Sequence, residues 1–474
     1  MKPRKAKKVR EKFLLEVESL DQEGRGVGKR DGKIVFVEGA LPSESVEYER
    51  FRNKERFEIG TVTQIFKESS LRVDPKCPYF GARDASCGGC ALQHLEPRAQ
   101  VAMKQKILMD ALCHIGRVKP QQILPPIYGS FWHYRHRARL SVRDVAKKNE
   151  VLVGFREKRS CYVADMKSCE ILPKRVSDLL VPLRELIGNL ILRKKIAQIE
   201  VAVAGDVVAL VFRNLEPVPP EDLEKFRAFE ETYRVVVWFQ PKGPDSIYPL
   251  NPEKKDALKL RHEETGVEVT FYPTDFTQVN HSLNECMVSR ALRLLKLKPT
   301  DKVADFFCGL GNFTLPIGRR SAKVWGIEGS EQLVQRARTG AVSNGLDEKV
   351  HFTARNLFTW TLSDWEELWN EAQGLDAVLI DPPREGAMAL CESLAQTEQR
   401  PRRLVYVSCN PATLARDCNI LCNQGGWILK AAGIMNMFPH TAHVESIAWF
   451  EPGKKPEVVA EEIVEETVEV AAEP

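Results

Sequence analysis

Three groups of residues in this 474-residue chain have the types and spacing of working chemistry. The first centres on Cys409, in Val405-Tyr406-Val407-Ser408-Cys409-Asn410-Pro411. The apolar run Leu404 to Val407 reads as a short buried strand, ended by a polar pair and a proline. Cys409 then falls at the strand's C-terminal mouth, the edge at which open α/β sheets bind ligands. A thiolate there is a candidate nucleophile, although a buried structural thiol is the commoner fate of a free cysteine. The second group is Cys77 with Cys87-Gly88-Gly89-Cys90. Two thiolates on one tight turn and a third nearby can grip a metal, and zinc and an iron–sulfur cluster are the two readings. A redox dithiol is disfavoured, because no thioredoxin-like βαβ pattern surrounds it. Cys169 is the choice for a fourth ligand and Cys161 the reserve, while Cys113 on an amphipathic helical stretch reads as core packing. The third group is Cys308-Gly309-Leu310-Gly311-Asn312, followed by Glu328.

These groups need elements to position them. From about residue 270 strands and helices alternate. Lys302–Phe306 reads as a strand, the glycine pair opens a helix, and the next strand ends on Glu328. In such a βαβ unit the glycines admit a ligand close to the backbone and the acid receives ribose hydroxyls. Leu315 stands where the dinucleotide form wants a third small residue, which favours S-adenosylmethionine over NAD. Asn356, after the strand Val350–Thr353, is placed to reach an adenine or simply to make a turn. Leu375–Ile380 is a fourth strand, ending in Asp381-Pro382-Pro383-Arg384. An acid held by two prolines at a strand end looks like a base-reading or catalytic position. Trp427–Ala432 and Val444–Phe450 complete the sheet, with Glu445 at the edge of the last strand.

Ahead of this unit lie two β-rich stretches. Short strands at Phe13–Val17, Ile34–Val37, Val46–Tyr48 and Gly60–Ile65, with turns at Gly24-Arg25-Gly26-Val27-Gly28 and Asp31-Gly32-Lys33, predict an OB-like barrel over 13–66. This stretch resembles a TRAM domain, an RNA-binding module. A central β-rich domain spans 67–265 and carries the cysteines. Within it Phe131 to Arg139 alternates aromatic and cationic side chains, a pattern suited to single-stranded nucleic acid or to an ordinary solvated face. Ile199–Val203 and Val207–Phe212 flank Gly205-Asp206 as a hairpin. Residues 1–12 form a basic arm, and 452–474 an acidic tail read as disordered.

The net charge of +4 understates the basic character, because the tail alone carries −5 and the rest of the chain 67 basic against 58 acidic residues. That leans towards a polyanionic partner. Hydrophobic content of 43% and charged content of 28% fit a globular protein. No apolar run reaches the roughly 18 residues that span a bilayer. A basic N-terminus without an apolar core behind it is no signal peptide. The expectation is a cytoplasmic, monomeric protein with no membrane partner, whose 12 cysteines are not a disulfide framework.

Cys409, Asp381, Glu445 and the glycine loop should converge at one end of one sheet. A thiolate, a methyl donor and a carboxylate together point to methylation of an unactivated pyrimidine carbon. Thiolate addition at C6 renders C5 nucleophilic, C5 takes the methyl, a base removes the C5 proton and the thiol leaves.

Over nearly its whole length the chain is similar to the RNA uracil-C5-methyltransferases, most of all those with a TRAM-like domain and cluster cysteines that act on 23S ribosomal RNA. The resemblance implies a Rossmann-like class I methyltransferase domain over 266–451. Ser408-Cys409-Asn410-Pro411-Ala412-Thr413-Leu414-Ala415-Arg416-Asp417 matches the nucleophile motif, and His443-Val444-Glu445 the closing motif with Glu445 as base. Phe276, Gln278 and Asn280 match a Phe-x-Gln-x-Asn motif beside cofactor and target base. Phe307, Asn312, Glu328, Asn356 and Asp381 fall on cofactor-pocket positions. Cys77, Cys87, Cys90 and Cys169 align with 4Fe–4S ligands. The chain departs from the family at Ala82 to Ala85, which look inserted between the first two cluster cysteines. An amino-methyltransferase would need no cysteine, and a non-catalytic assembly factor would need neither motif. Methylation of another RNA, a tRNA or a second ribosomal site, is the alternative substrate.

Overall fold

The computed structural model describes residues 11–83 and 85–455. The residues before 11, read as most of the basic arm, and those after 455, most of the acidic tail, lie outside the described residues. Lys12 is not part of an arm. It opens the strand Lys12–Glu16 and pairs with Glu47 at 2.8 Å.

Six strands build the N-terminal sheet, in the order Lys12–Glu16, Ser45–Asn53, Phe57–Lys67, Lys33–Glu38, Gly26–Arg30, Ser19–Leu20. Leu15, Val35, Val37, Val46 and Tyr48 form its core. The glycine-marked turn is shorter than its spacing predicts. The chain turns over Asp21 to Gly24, and Gly26 and Gly28 are strand residues. They are glycines because a Cβ on Gly28 would lie 2.4 Å from the Glu16 carbonyl oxygen.

The central sheet runs Tyr248–Pro249, Val236–Phe239, Val207–Asn214, Ile196–Ala204, Arg137–Val145, Glu150–Gly154. The predicted hairpin is present, with Ala204 opposite Val207. Its apolar runs are continuous because both faces are covered. Val208, Leu210 and Phe212 pack under the helices Leu180–Gly188 and Pro220–Tyr233, whereas Ala209 and Val211 join the core of the next domain.

That next sheet contains β1 (Lys302–Phe306), β2 (Lys323–Glu328), β3 (Val350–Ala354), β4 (Ala377–Ile380), β5 (Arg403–Ser408), β6 (Trp427–Met435) and β7 (Glu445–Pro452). Their order is β3-β2-β1-β4-β5-β7-β6. β1 to β5 are mutually parallel, and β7 runs antiparallel to both its neighbours. Alternate residues serve opposite cores: Val405 and Val407 face one side, Leu404 and Tyr406 the other. Helix α1 (Pro97–His114) and the short strand Gln122–Ile123 belong spatially to this sheet, although they lie within 67–265. α1 packs its Val101, Leu108, Ala111 and Leu112 into the second core, and Gln122–Ile123 extends β6. Helix α2 (His281–Leu295) covers the other face, and α3 (Pro411–Asn419) follows Cys409.

Leu404, fully buried in β5, and Val342, 62% exposed on the helix Glu331–Ser343, bracket the packing energetics. Leu404→Ala should lower the unfolding free energy by about 2–5 kcal/mol, and Val342→Ala should change it by less than about 0.5 kcal/mol. Denaturant titrations of the two variants check this, and equal effects would contradict the two-sided burial of β5.

Candidate active site

The parallel strands β1 to β5 present their carboxyl ends on one edge. From β3 across, that edge carries Asn356, Glu328, the Phe307 to Asn312 loop, Asp381 and Cys409. Strand order reverses between β1 and β4, which is where such sheets open a crevice for ligands. The antiparallel β7 adds Glu445 to the same edge. Val407 pairs with Ile447 and Ser408 with Ser446. One further step along that register sets Cys409 opposite Glu445.

The loop after β1 bends sharply. Phe307, Gly309 and Gly311 all have positive φ (63°, 54° and 91°). For Phe307 this is a strained conformation, of a kind that concentrates at ligand sites. Glu328 Oε2 accepts from the Gly309 amide at 3.1 Å and its Oε1 from the Ser330 amide at 3.1 Å, which fixes the loop against β2. Asn312 and Asn284 of α2 exchange a reciprocal amide pair at 2.8 and 3.0 Å. Asn356 is exposed, accepts from the Phe358 amide, and stands near the Phe307–Phe358 ring pair, 5.9 Å apart. Gln278 is buried just ahead of α2, Asn280 caps α2 through Leu283, and Phe276 projects into solvent, 77% exposed.

Two residues here were not singled out from the sequence. Asn284 holds Asn312, and Asp305 lies under the glycine loop. Asp305 is buried in β1, accepts from Thr314 Oγ1 at 2.5 Å, and leaves Oδ1 without a partner among the described residues. Burial pushes its carboxyl up to about 8. An aspartate inside the apolar run Val303 to Phe306 was the available signal.

The other half of the edge is electrostatically crowded. Burial pushes Asp381 up to about 7. Glu445, 2% exposed, is raised well above the ordinary carboxylate range by burial and by Asp381. The half-buried Cys409 thiol is pushed up to about 11, by burial first and then by Glu445 and Asp381, while the Arg384 cation pulls it down. The Arg384 carbonyl is pinned by Asn410 Nδ2 at 3.1 Å and Thr413 Oγ1 at 3.2 Å, so the Asp381–Arg384 turn and the start of α3 move together. Beneath them Asp417 accepts from Tyr406 Oη at 2.6 Å and the Ala387 amide at 2.8 Å.

Away from this edge, Cys77, Cys87, Cys90 and Cys169 line one small cavity with Phe80, Gln93 and Phe155. Burial raises all four thiols, to about 12 for Cys90 and about 11 for Cys169. Among the described residues no group of three or more His, Cys, Asp or Glu is set to hold a metal ion. Cys161 is exposed and does not line the cavity. Cys113 is exposed too, so the expectation of core packing fails: it lies on the solvent side of α1, whose buried stripe is Val101, Leu108, Ala111 and Leu112.

The aromatic and cationic run Phe131 to Arg139 is partly engaged within the protein: Tyr134 and Ala138 are buried, His133 and Arg139 exposed, and the others half-buried. Trp132 packs on His440 with ring centroids 4.1 Å apart, and Tyr134 donates to the Pro439 carbonyl at 2.8 Å. His136 stacks on His281 at 4.2 Å, and Arg137 donates to the Pro273 carbonyl and Thr277. The run braces the Phe276–Asn280 loop and the segment before β7. Arg139 is exposed but pairs with Glu200 at 2.9 Å.

Comparison with known proteins puts this geometry in context. Residues 99–452 match the family model described as tRNA (Uracil-5-)-methyltransferase, and residues 6–47 match the TRAM domain. The chain is 50% identical, over 97% of its length and 98% of the other's, to a Bordetella avium protein named 23S rRNA (uracil(1939)-C(5))-methyltransferase RlmD. A Nitrosospira multiformis protein of the same name is 51% identical, over 93% of this chain and 98% of that one. Among solved structures, Pyrococcus abyssi tRNA (uracil-54, C5)-methyltransferase with S-adenosyl-L-homocysteine shares the fold at a TM-score of 0.69. It is 22% identical and covers 92% of this chain and 100% of its own.

The raised Cys409 thiol makes a pH prediction. In the ligand-free protein its alkylation by iodoacetamide should be slow at neutral pH and rise about tenfold per pH unit below its pKa, since only the thiolate reacts. Arg384→Gln should slow it further at each pH, by removing a cation that favours the thiolate. A rate that is flat between pH 7 and 9 would show that Cys409 is already ionised.

Proposed function

The chain belongs to the tRNA (uracil-5-)-methyltransferase family, and from that premise we propose that it methylates C5 of a uridine in 23S ribosomal RNA. Its relatives at about 50% identity over nearly the full chain are named for that reaction. The observation that carries the reading is the β5–β7 register, in which the step beyond Ser408 and Ser446 faces a thiol with a buried carboxyl.

Cys409 first gives up its thiol proton to solvent; its Sγ, as the thiolate, then adds to C6 of the uracil, and the C5–C6 π pair it displaces makes C5 nucleophilic. S-adenosylmethionine, when bound, supplies the electrophilic methyl group. The residues at the β1–β3 half of the edge fit it. Glu328 offers a carboxylate for ribose hydroxyls, Asn356 an amide for adenine, and Phe307, Gln278 and Asn312 enclose the remainder. Two buried polar atoms nearby lack a partner among the described residues: Nδ2 of Asn280, which caps α2, and Oδ1 of Asp305 in β1. Asp381, at the switch point between cofactor and uracil, is half-buried and pushed to about 7, so it can exchange a proton near neutrality. Glu445, acting in its ionised form, takes the C5 proton as the C5–C6 double bond re-forms; Sγ leaves as the thiolate, regains a proton from solvent, and the methylated RNA is released. Its burial suits it to that task, because a carboxylate out of water is a stronger base. The uracil must be unpaired or flipped out to expose C6, at a cost of a few kcal/mol.

The cysteine-lined cavity is read as the seat of a 4Fe–4S cluster on Cys77, Cys87, Cys90 and Cys169. Thiols standing round a cavity suit a cluster ligated at its corners better than a single ion gathered at a point. Cys77, Cys87 and Cys169 are buried and Cys90 half-buried, and none of the four is among the residues placed at the reacting atoms.

Two outcomes test these readings. With target RNA, Cys409→Ala should form no covalent adduct and transfer no methyl, while Glu445→Gln should stall as a methylated RNA–protein adduct on a denaturing gel. Loss of the gene should remove one C5-methyluridine from 23S RNA and leave tRNA unchanged. An active Cys409→Ala enzyme would overturn the mechanism. Anaerobically purified protein should absorb in the visible and contain iron and sulfide. Cys169→Ser should lose both and Cys161→Ser neither; stoichiometric zinc without sulfide would reject the cluster.

A further inference from the structure

The segment 436–444, which delivers the chain from β6 to Glu445, has no regular secondary structure yet is largely buried. Irregular backbone in a core must find partners outside itself. Here the partners come from three distant places. From α1, the buried Lys104 Nζ donates to Asn436 Oδ1 at 2.7 Å and the Phe438 carbonyl at 2.8 Å. Gln100, also fully buried on α1, accepts from the His440 amide at 2.8 Å, and its amide nitrogen lies 3.1 Å from His440 Nδ1. From the central domain, Tyr134 holds the Pro439 carbonyl. From the cysteine turn, the amides of Ala91 and Leu92 both donate to the His440 carbonyl, at 2.8 and 3.0 Å. Ala91 is the residue after Cys90. Gln100 closes the loop by donating to the Leu92 and Leu95 carbonyls at 3.0 and 2.9 Å. His440 itself has φ +62°, a conformation these bonds must maintain.

We propose that the cysteine pocket and Glu445 form one mechanical unit, in which the bridged Cys87–Cys90 turn holds Ala91 and Leu92 on His440 and so sets the position of Glu445. Gln100 is the positioning residue at the joint. This rests on the reading of Glu445 as the base. The cluster's contribution is then to the last chemical step, removal of the C5 proton. Cofactor binding, which uses the β1–β3 half of the edge, is independent of it.

The test uses full-length protein, native or stripped of its cluster, and Gln100→Ala. With target RNA and S-adenosylmethionine, both perturbed proteins should form the methylated adduct but release it about a hundredfold more slowly, the low end of what a general base contributes. Their affinity for S-adenosylmethionine should stay within twofold of native. Hydrogen exchange should speed up in the 436–445 peptide on cluster removal and stay native in the peptide carrying the Gly309–Gly311 loop. Should Gln100→Ala not fold, Tyr134→Phe removes a single bond to the same segment and is read in the same way. Native adduct lifetimes, or unchanged exchange in 436–445, overturn the proposal, as does a parallel loss of cofactor affinity, which would mean general damage to the sheet. If Glu445→Gln itself releases RNA normally, the base assignment falls, and the exchange measurement still decides the coupling.

Discussion

The antiparallel pairing of β7 against β5 is the constraint on which the rest depends. A strand's first residue reaches the carboxyl edge of a parallel sheet only if that strand runs the other way. β7 does, so Glu445 at its start meets Cys409 beyond the end of β5. Had β7 followed the direction of β1 to β5, its start would lie at the opposite edge. Both neighbours of β7 enforce the direction, since β6 pairs with it antiparallel over its whole length. The interleaved cores on the two faces then hold the register, because a slip of one residue would exchange Val405 and Val407 with Leu404 and Tyr406.

Meeting at that edge has an electrostatic cost. Three carboxyl groups, Asp305, Asp381 and Glu445, and one thiol are all pushed towards their neutral forms in the ligand-free protein. Burial is the first cause for each. Burial thus opposes ionisation of the thiol and of the acids around it, and the Arg384 cation favours the thiolate at Cys409. Perturbations of this size in opposed acids and nucleophiles mark working sites more often than structural ones. Beneath these groups the fully buried Asp417 is satisfied by Tyr406 Oη and the Ala387 amide.

The central domain works as a brace. Its strand Arg137–Val145 and the residues just before it clamp the Phe276–Asn280 loop through His136 and Arg137, and the segment before β7 through Trp132 and Tyr134. One side of its sheet shares a core with the methyltransferase sheet. The N-terminal sheet is joined through the buried cluster of Leu41 with Leu92 and Leu95, through Arg72 on Glu44, and through Arg159, which reaches Glu38 at 2.9 Å and Thr61 at 2.7 Å.

The sequence by itself determined the alternation of strands and helices after residue 270, because hydrophobic period and glycine turns are local properties. It also located Cys409, Asp381 and Glu328 at strand ends, since a strand's end is written in the residues that stop it. Cys169 could be preferred over Cys161, although only the cavity wall shows which of the two faces the other cysteines. Asp305 and Asn284 were passed over, because their importance lies in burial beneath a loop rather than in any motif. For the run Phe131 to Arg139, composition gives side-chain chemistry but not the direction each side chain faces, so its ties to His440 and Pro439 were not legible. Strand direction, the pairing of Cys409 with Glu445, and the ties from Gln100 and Ala91 to His440 were left to the tertiary structure. They join residues up to 340 positions apart, and no local pattern encodes a contact that only packing creates.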